Sequence, residues 1–228
     1  AYMSALARVG SSARVSNAHS WVAVEINASS SFEKSRTSRL NSMSRRARET
    51  QVRPTNDSVM LKVRVRVPTN AKSFNVSTYF YSAEYPEWVC SQYNDFFLTL
   101  LNSTFVPGAG ESPNPADKNL AFYDPPPAGG AVYPVGVNLA FGNTGLFSQC
   151  KNGPTGCTTG SVAGNTNTCV SVSQLAGTGF DTPNPPPQFN NDLGWCGASN
   201  LAGGGTGWLT TSGNVKPGET IELRFVIW

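Results

Sequence analysis

Histidine occurs once in the 228 residues, at position 19. A Ser/His/Asp hydrolase needs an imidazole base and a zinc centre draws on several His or Cys ligands, so neither chemistry is expected here. Charge is scarce too, at 14% Asp, Glu, Lys and Arg. No stretch approaches the ~20 apolar residues of a membrane span. The N-terminus has no apolar core behind a basic patch of the kind that marks a secretion signal. Gly203-Gly-Gly-Thr-Gly207 lacks the Gly-Lys-Ser/Thr ending of a phosphate-binding loop and reads instead as a tight turn ahead of a strand.

What is plentiful is Gly (22) and Pro (16), with much Ser, Thr and Asn. That composition suits short strands joined by turns, and the length suits one β-rich domain with or without an appendage. The expected class is all-β: a β-sandwich of antiparallel strands, jelly-roll-like or Ig-like, with a long Gly/Asn/Pro-rich, disulfide-bearing loop region.

The net charge of +3 is unevenly placed. Residues 1–53 hold nine Lys/Arg against three Glu, and residues 54–228 hold eight against eleven acids. The first 55 residues therefore read as a basic Ser/Arg/Ala-rich leader, poorly ordered or foreign to the domain that follows, and residues 56–228 as the domain proper. The leader shows neither aromatic interleaving nor a sustained amphipathic run, so it reads as a solvated tail and not as a nucleic-acid arm. It is also the text a GC-rich gene yields when read out of frame; in that case the strand-like run Trp21 to Ile26 is accidental and His19 has no function.

Strand signals are strongest at Val59 to Val67, where Val59, Leu61, Val63, Val65 and Val67 alternate with Met60, Lys62, Arg64 and Arg66. Such alternation marks a half-solvated strand, so the three cations read as a wet face before they read as a phosphate track. Phe74, Val76, Thr78 and Phe80 alternate in the same way, and Phe96 to Leu101 forms the next strand. Shorter strands are expected at Asn119 to Tyr123 and Val132 to Leu139, then Trp208 to Thr211 and Ile221 to Trp228.

Between the two strands centred on Phe80 and Leu98 lies a compact acidic, aromatic loop. It packs Glu84, Glu87 and Asp95 with Tyr85, Trp88 and Tyr93 into twelve residues. Its text, Ser82-Ala-Glu-Tyr-Pro-Glu-Trp-Val-Cys-Ser-Gln-Tyr-Asn-Asp95, resembles the signature of choice-of-anchor L domains, which are secreted bacterial surface domains. A second block, Gly203-Gly-Gly-Thr-Gly-Trp-Leu-Thr-Thr211 followed by Val215 to Trp228, resembles the C-terminal part of that domain in the Cys-rich form of myxobacteria. The likeness covers about residues 56 to 228. It implies a non-enzymatic extracellular or cell-surface domain serving adhesion or contact with cells or matrix. It also implies that the family text continues past Trp228, through an acidic turn into a final strand.

Two further readings compete. Ca²⁺ takes six to eight oxygens, so Glu84, Glu87, Asn94 and Asp95 are the candidate ligands of a calcium site. With Trp88, Tyr93, Trp195 and Trp208 as stacking platforms, the chain then reads as a calcium-assisted carbohydrate-binding module whose partner is an extracellular glycan. Glu84 and Glu87 could also serve as the acid and base of a glycan-cleaving enzyme. Against all of these stands a plainer role, in which the carboxylates accept backbone N–H bonds and the aromatics cover the end of the domain.

The five cysteines, Cys90, Cys150, Cys157, Cys169 and Cys196, sit in Gly/Asn/Thr loops without metal-site spacing, as disulfide cysteines of exported proteins do. Spacing does not fix the pairing. The expectation carried forward is Cys150 with Cys157 and Cys169 with Cys196, leaving Cys90 unpaired, with a lost partner, an intermolecular bond or a free thiol all open for it.

Overall fold

A computed structural model describes residues 4–7, 20–29, 58–91, 94–126, 129–157, 165–181, 196 and 203–227. His19, Gln92, Tyr93 and Trp195 lie outside these, and β1 and β2 are described as backbone only. Among the described residues eleven strands follow in chain order: β1 Ser4–Ala7, β2 Ser20–Ser29, β3 Val59–Arg66, β4 Ser73–Ser82, β5 Phe97–Asn102, β6 Phe122–Tyr123, β7 Tyr133–Pro134, β8 Gly153–Pro154, β9 Thr166–Asn167, β10 Gly204–Asn214 and β11 Thr220–Ile227. The fold is all-β, as the composition demands.

Two sheets dominate, ordered β1-β2-β4-β10 and β3-β11-β5, with every neighbouring pair antiparallel. β4 is the axis of the first sheet, because it pairs along its whole length with β2 and nearly so with β10. β1 and β2 come from the stretch that the charge pattern sets apart as a leader, and β2 runs in unbroken register from Ser20↔Ser82 to Ser29↔Ser73.

The period-2 pattern of β4 does what it predicts on one face. Phe74, Val76 and Phe80 are buried in one cluster with Phe97 and Leu101 of β5 and with Ile221, Leu223 and Phe225 of β11. Phe80 and Phe97 meet across the two sheets with ring centroids 6.1 Å apart. Each fully buried Phe contributes about 1.5–3 kcal/mol by leaving water. The other face of β4 is wet only in its first half: Tyr79 and Tyr81 are 2% and 8% exposed and form a second cluster with Leu175 and Phe180.

Three sequence expectations are corrected. Val132 to Leu139 is no continuous strand, because Pro134 lacks a donor and the chain turns at Gly136 into a 3-10 turn over Val137–Ala140. Gly203 to Gly207 is no tight turn, because Gly204 and Gly205 are the first residues of β10, paired with Ser82 and Tyr81. Glycine is required there by close approach: a Cβ on Gly204 meets the Tyr85 ring at 2.6 Å and one on Gly205 meets the Tyr79 ring at 2.5 Å. A register shift follows between Gly205 and Trp208, where Gly207 takes a φ of +74°.

The third correction is the disulfide pairing. Cys150 bonds Cys169 and Cys157 bonds Cys196, with Cα atoms 5.4 and 5.0 Å apart. The cause is the small hairpin β8–β9, in which Gly153 faces Asn167 and Pro154 faces Thr166. It carries Cys150 and Cys169 to the same end of the ladder and leaves Cys157 beyond the turn side. Cys90 keeps a free, exposed thiol.

Candidate functional site

The acidic aromatic loop leaves β4 at Ser82 and returns at Phe97. Its first turn closes through the Trp88 N–H on the Glu84 carbonyl at 2.8 Å, its second through Ser91 on Trp88 at 3.0 Å. The Tyr85–Pro86 peptide is cis. Ser82, the last residue of β4, organises the acids: its Oγ donates to Asp95 Oδ2 at 2.7 Å and accepts the Glu84 N–H at 3.0 Å. Glu84 Oε2 in turn accepts the Asp95 N–H at 3.2 Å. Burial, followed by the nearby Asp95 carboxylate, pushes Glu84 up to about 7. Glu87 is fully buried.

A second segment locks the far side of the loop. Asn138, in the 3-10 turn, accepts the Cys90 N–H on Oδ1 and donates from Nδ2 to the Ser91 carbonyl. Its own N–H goes to Asn94 Oδ1 at 2.8 Å, and Val137 N–H goes to the Asp95 carbonyl at 3.0 Å. Cys90 is held with a φ of +63°. Asn138 escapes sequence reading because it sits in an apolar run; the signal available is an Asn shortly after Pro134 and Gly136, a turn composition.

Tyr85 anchors the loop to the disulfide region. It is 1% exposed, stacks on Phe147 with centroids 4.7 Å apart, and its hydroxyl accepts from Asn167 Nδ2 at 3.1 Å. Burial raises it to about 12, so the phenol stays protonated. The Cys157–Cys196 bridge touches the same loop: Gly156 N–H donates to the Pro86 carbonyl at 2.8 Å, and Cys157 Sγ lies 4.0 Å from the Glu87 carbonyl.

The proposed calcium ligands are thus distributed over separate tasks. Glu84 and Asp95 share Ser82, Asn94 caps the Asn138 turn and Glu87 is interior. Among the described residues no three His, Cys, Asp or Glu side chains are grouped to hold a metal ion. Of the stacking candidates, Trp88 is half-buried and Trp208 is 48% exposed, standing edge-on to Tyr79 at 5.7 Å on the outer face of the first sheet. They sit on different elements: Trp88 belongs to the loop and Trp208 to β10, the edge strand of the first sheet.

A shallow recess of about 400 Å³ lies beyond Asn138, lined by Pro125, Ala131, Tyr133, Leu139, Phe141 and Thr144. The Asn138 amide and the Thr144 hydroxyl on its wall are already engaged within the protein. No described helix is long and apolar enough to cross a membrane. No family model, curated protein or solved structure matches the chain.

Proposed function

We propose that this chain is a non-enzymatic, exported domain of choice-of-anchor L type, a two-sheet sandwich displayed outside a bacterial cell for adhesion or contact with cells or matrix. One observation carries the reading. The acidic loop that bears the family-like text is built as a rigid structural corner: its polar groups bond to Ser82, Asn138 and the loop backbone, and its Pro86 carbonyl is tied to the disulfide region. Two disulfides agree with maturation in an oxidising compartment.

The test is fractionation of the native host with an antibody to the folded domain, under thiol-blocking conditions. The expected result is antigen at the cell surface or in the medium, with both disulfides formed. Cytoplasmic antigen with reduced cysteines sinks the proposal.

One observation favours a second reading as a glycan-binding module: Trp208 is half exposed on the sheet surface. Quenching of tryptophan fluorescence by neutral glycans, lost in Trp208→Ala, is the expected outcome of that reading.

A further inference from the structure

The outer face of the second sheet carries a charge arrangement separate from the loop and from Trp208. On β3, Lys62, Arg64 and Arg66 are two residues apart and share the exposed face, which spaces them over about 13 Å. The antiparallel register sets Arg64 opposite Glu222, Lys62 opposite Arg224 and Arg66 opposite Thr220 of β11. Glu222 is the hub: Arg64 Nε approaches it at 3.1 Å, an Arg224 guanidinium nitrogen at 2.7 Å and Lys62 Nζ at 3.8 Å.

One carboxylate serving three cations, with Arg66 beside them, leaves a positive excess on two adjacent strands. The Glu222 side chain is only 11% exposed, whereas those of Lys62, Arg64 and Arg224 are 46%, 71% and 43% exposed. Its hydrogen bonds from Arg224 and Arg64 hold Glu222 below the usual carboxylate range, so the hub stays ionised and pins both guanidinium groups on the sheet. Pre-placed guanidinium groups suit bidentate recognition of carboxylate or sulfate.

The shape and composition of the face select among polyanions. Its described outward positions, Met60, Leu98, Leu100, Asn102, Thr220 and Val226 besides the charged ones, hold no aromatic ring on which a nucleobase stacks. It is a flat ladder and not a helix or projecting ribbon that enters a duplex groove. An extended polymer with regularly spaced charges along β3 fits it best. We infer that the outer face of β3–β11–β5 is a docking surface for an acidic polysaccharide carrying carboxylate or sulfate groups.

The experiment measures retention of the full chain on immobilised polygalacturonate and dextran sulfate, with neutral dextran, poly(dT) and phosphatidylserine vesicles as the other arms. Expected is salt-sensitive binding to at least one acidic polysaccharide, weaker on poly(dT) and vesicles and absent on neutral dextran. The double variant Lys62→Gln, Arg66→Gln leaves the Arg64–Glu222–Arg224 contacts in place and is expected to lose about tenfold in affinity with an unchanged melting temperature. Lys151→Gln, away from this face, is expected to bind as the parent does. No retention on either acidic polysaccharide at low salt, equal retention of the double variant, or tighter retention on poly(dT) or vesicles overturns the inference.

Discussion

Glu84 accepts the backbone N–H of Asp95 on Oε2 at 3.2 Å while the Asp95 carboxylate is held on the other side by Ser82 Oγ. Two acids are therefore folded against one hydroxyl. Burial, reinforced by the neighbouring Asp95 carboxylate, is why Glu84 is raised from 4.5 to about 7.

A raised carboxylate makes stability fall with pH. Between about 4.5 and 7 the folded protein retains a proton that the unfolded chain has released, so the contribution present at the acid end is lost as pH rises through 7. Glu219 and Glu222 are shifted the opposite way and lose their contributions only as pH falls below the usual carboxylate range, outside this window. Chemical denaturation from pH 5 to 8 is expected to show a decline on the order of 1–3 kcal/mol, absent in Glu84→Gln. A flat profile in the parent contradicts the arrangement.

Gly204 is a packing glycine inside a strand, facing the Tyr85 and Phe147 rings. Gly204→Ala is expected to cost about 1–3 kcal/mol by overpacking, read as a lower denaturation midpoint. Ala at Gly204 with no loss means that the Tyr85 ring sits elsewhere.

Asn138 closes the loop with two side-chain bonds, to Cys90 N–H and the Ser91 carbonyl. Asn138→Ala is expected to lower stability by about 1–3 kcal/mol and to accelerate amide exchange at Cys90 ahead of the rest of the chain. Exchange at Cys90 that stays level with the parent refutes the role.

Peptide mapping without reduction is expected to recover Cys150 joined to Cys169 and Cys157 joined to Cys196, with Cys90 alkylated. Replacing Cys150 and Cys169 together by Ala opens a ring with a sequence separation of 19, at a cost of roughly 3 kcal/mol.

Period and composition were enough to read β3, β4, β5 and β11, because each places branched or aromatic residues on alternate positions against one core. They did not reveal that Tyr79 and Tyr81 are buried on the opposite face, since Leu175 and Phe180, which cover them, are about a hundred residues away in the chain. The Gly204–Gly205 strand start was illegible for a related reason: a missing Cβ looks the same whether it permits a turn or the approach of a ring. In the loop, the acids were visible from the sequence, but Ser82 and Asn138 were not, because a hydroxyl or amide gains its importance from what the fold brings to it. Cysteine spacing left the pairing open, and the β8–β9 hairpin decided it.

The crossed connectivity has a topological corollary. Each bridge spans one cysteine of the other, so any single backbone cleavage between Cys150 and Cys196 leaves its two fragments covalently joined. Under the side-by-side pairing, a cut between Cys157 and Cys169 severs the chain outright. A domain wired this way keeps its covalent unity after a single proteolytic nick anywhere between Cys150 and Cys196, and parts into pieces only when a reductant follows.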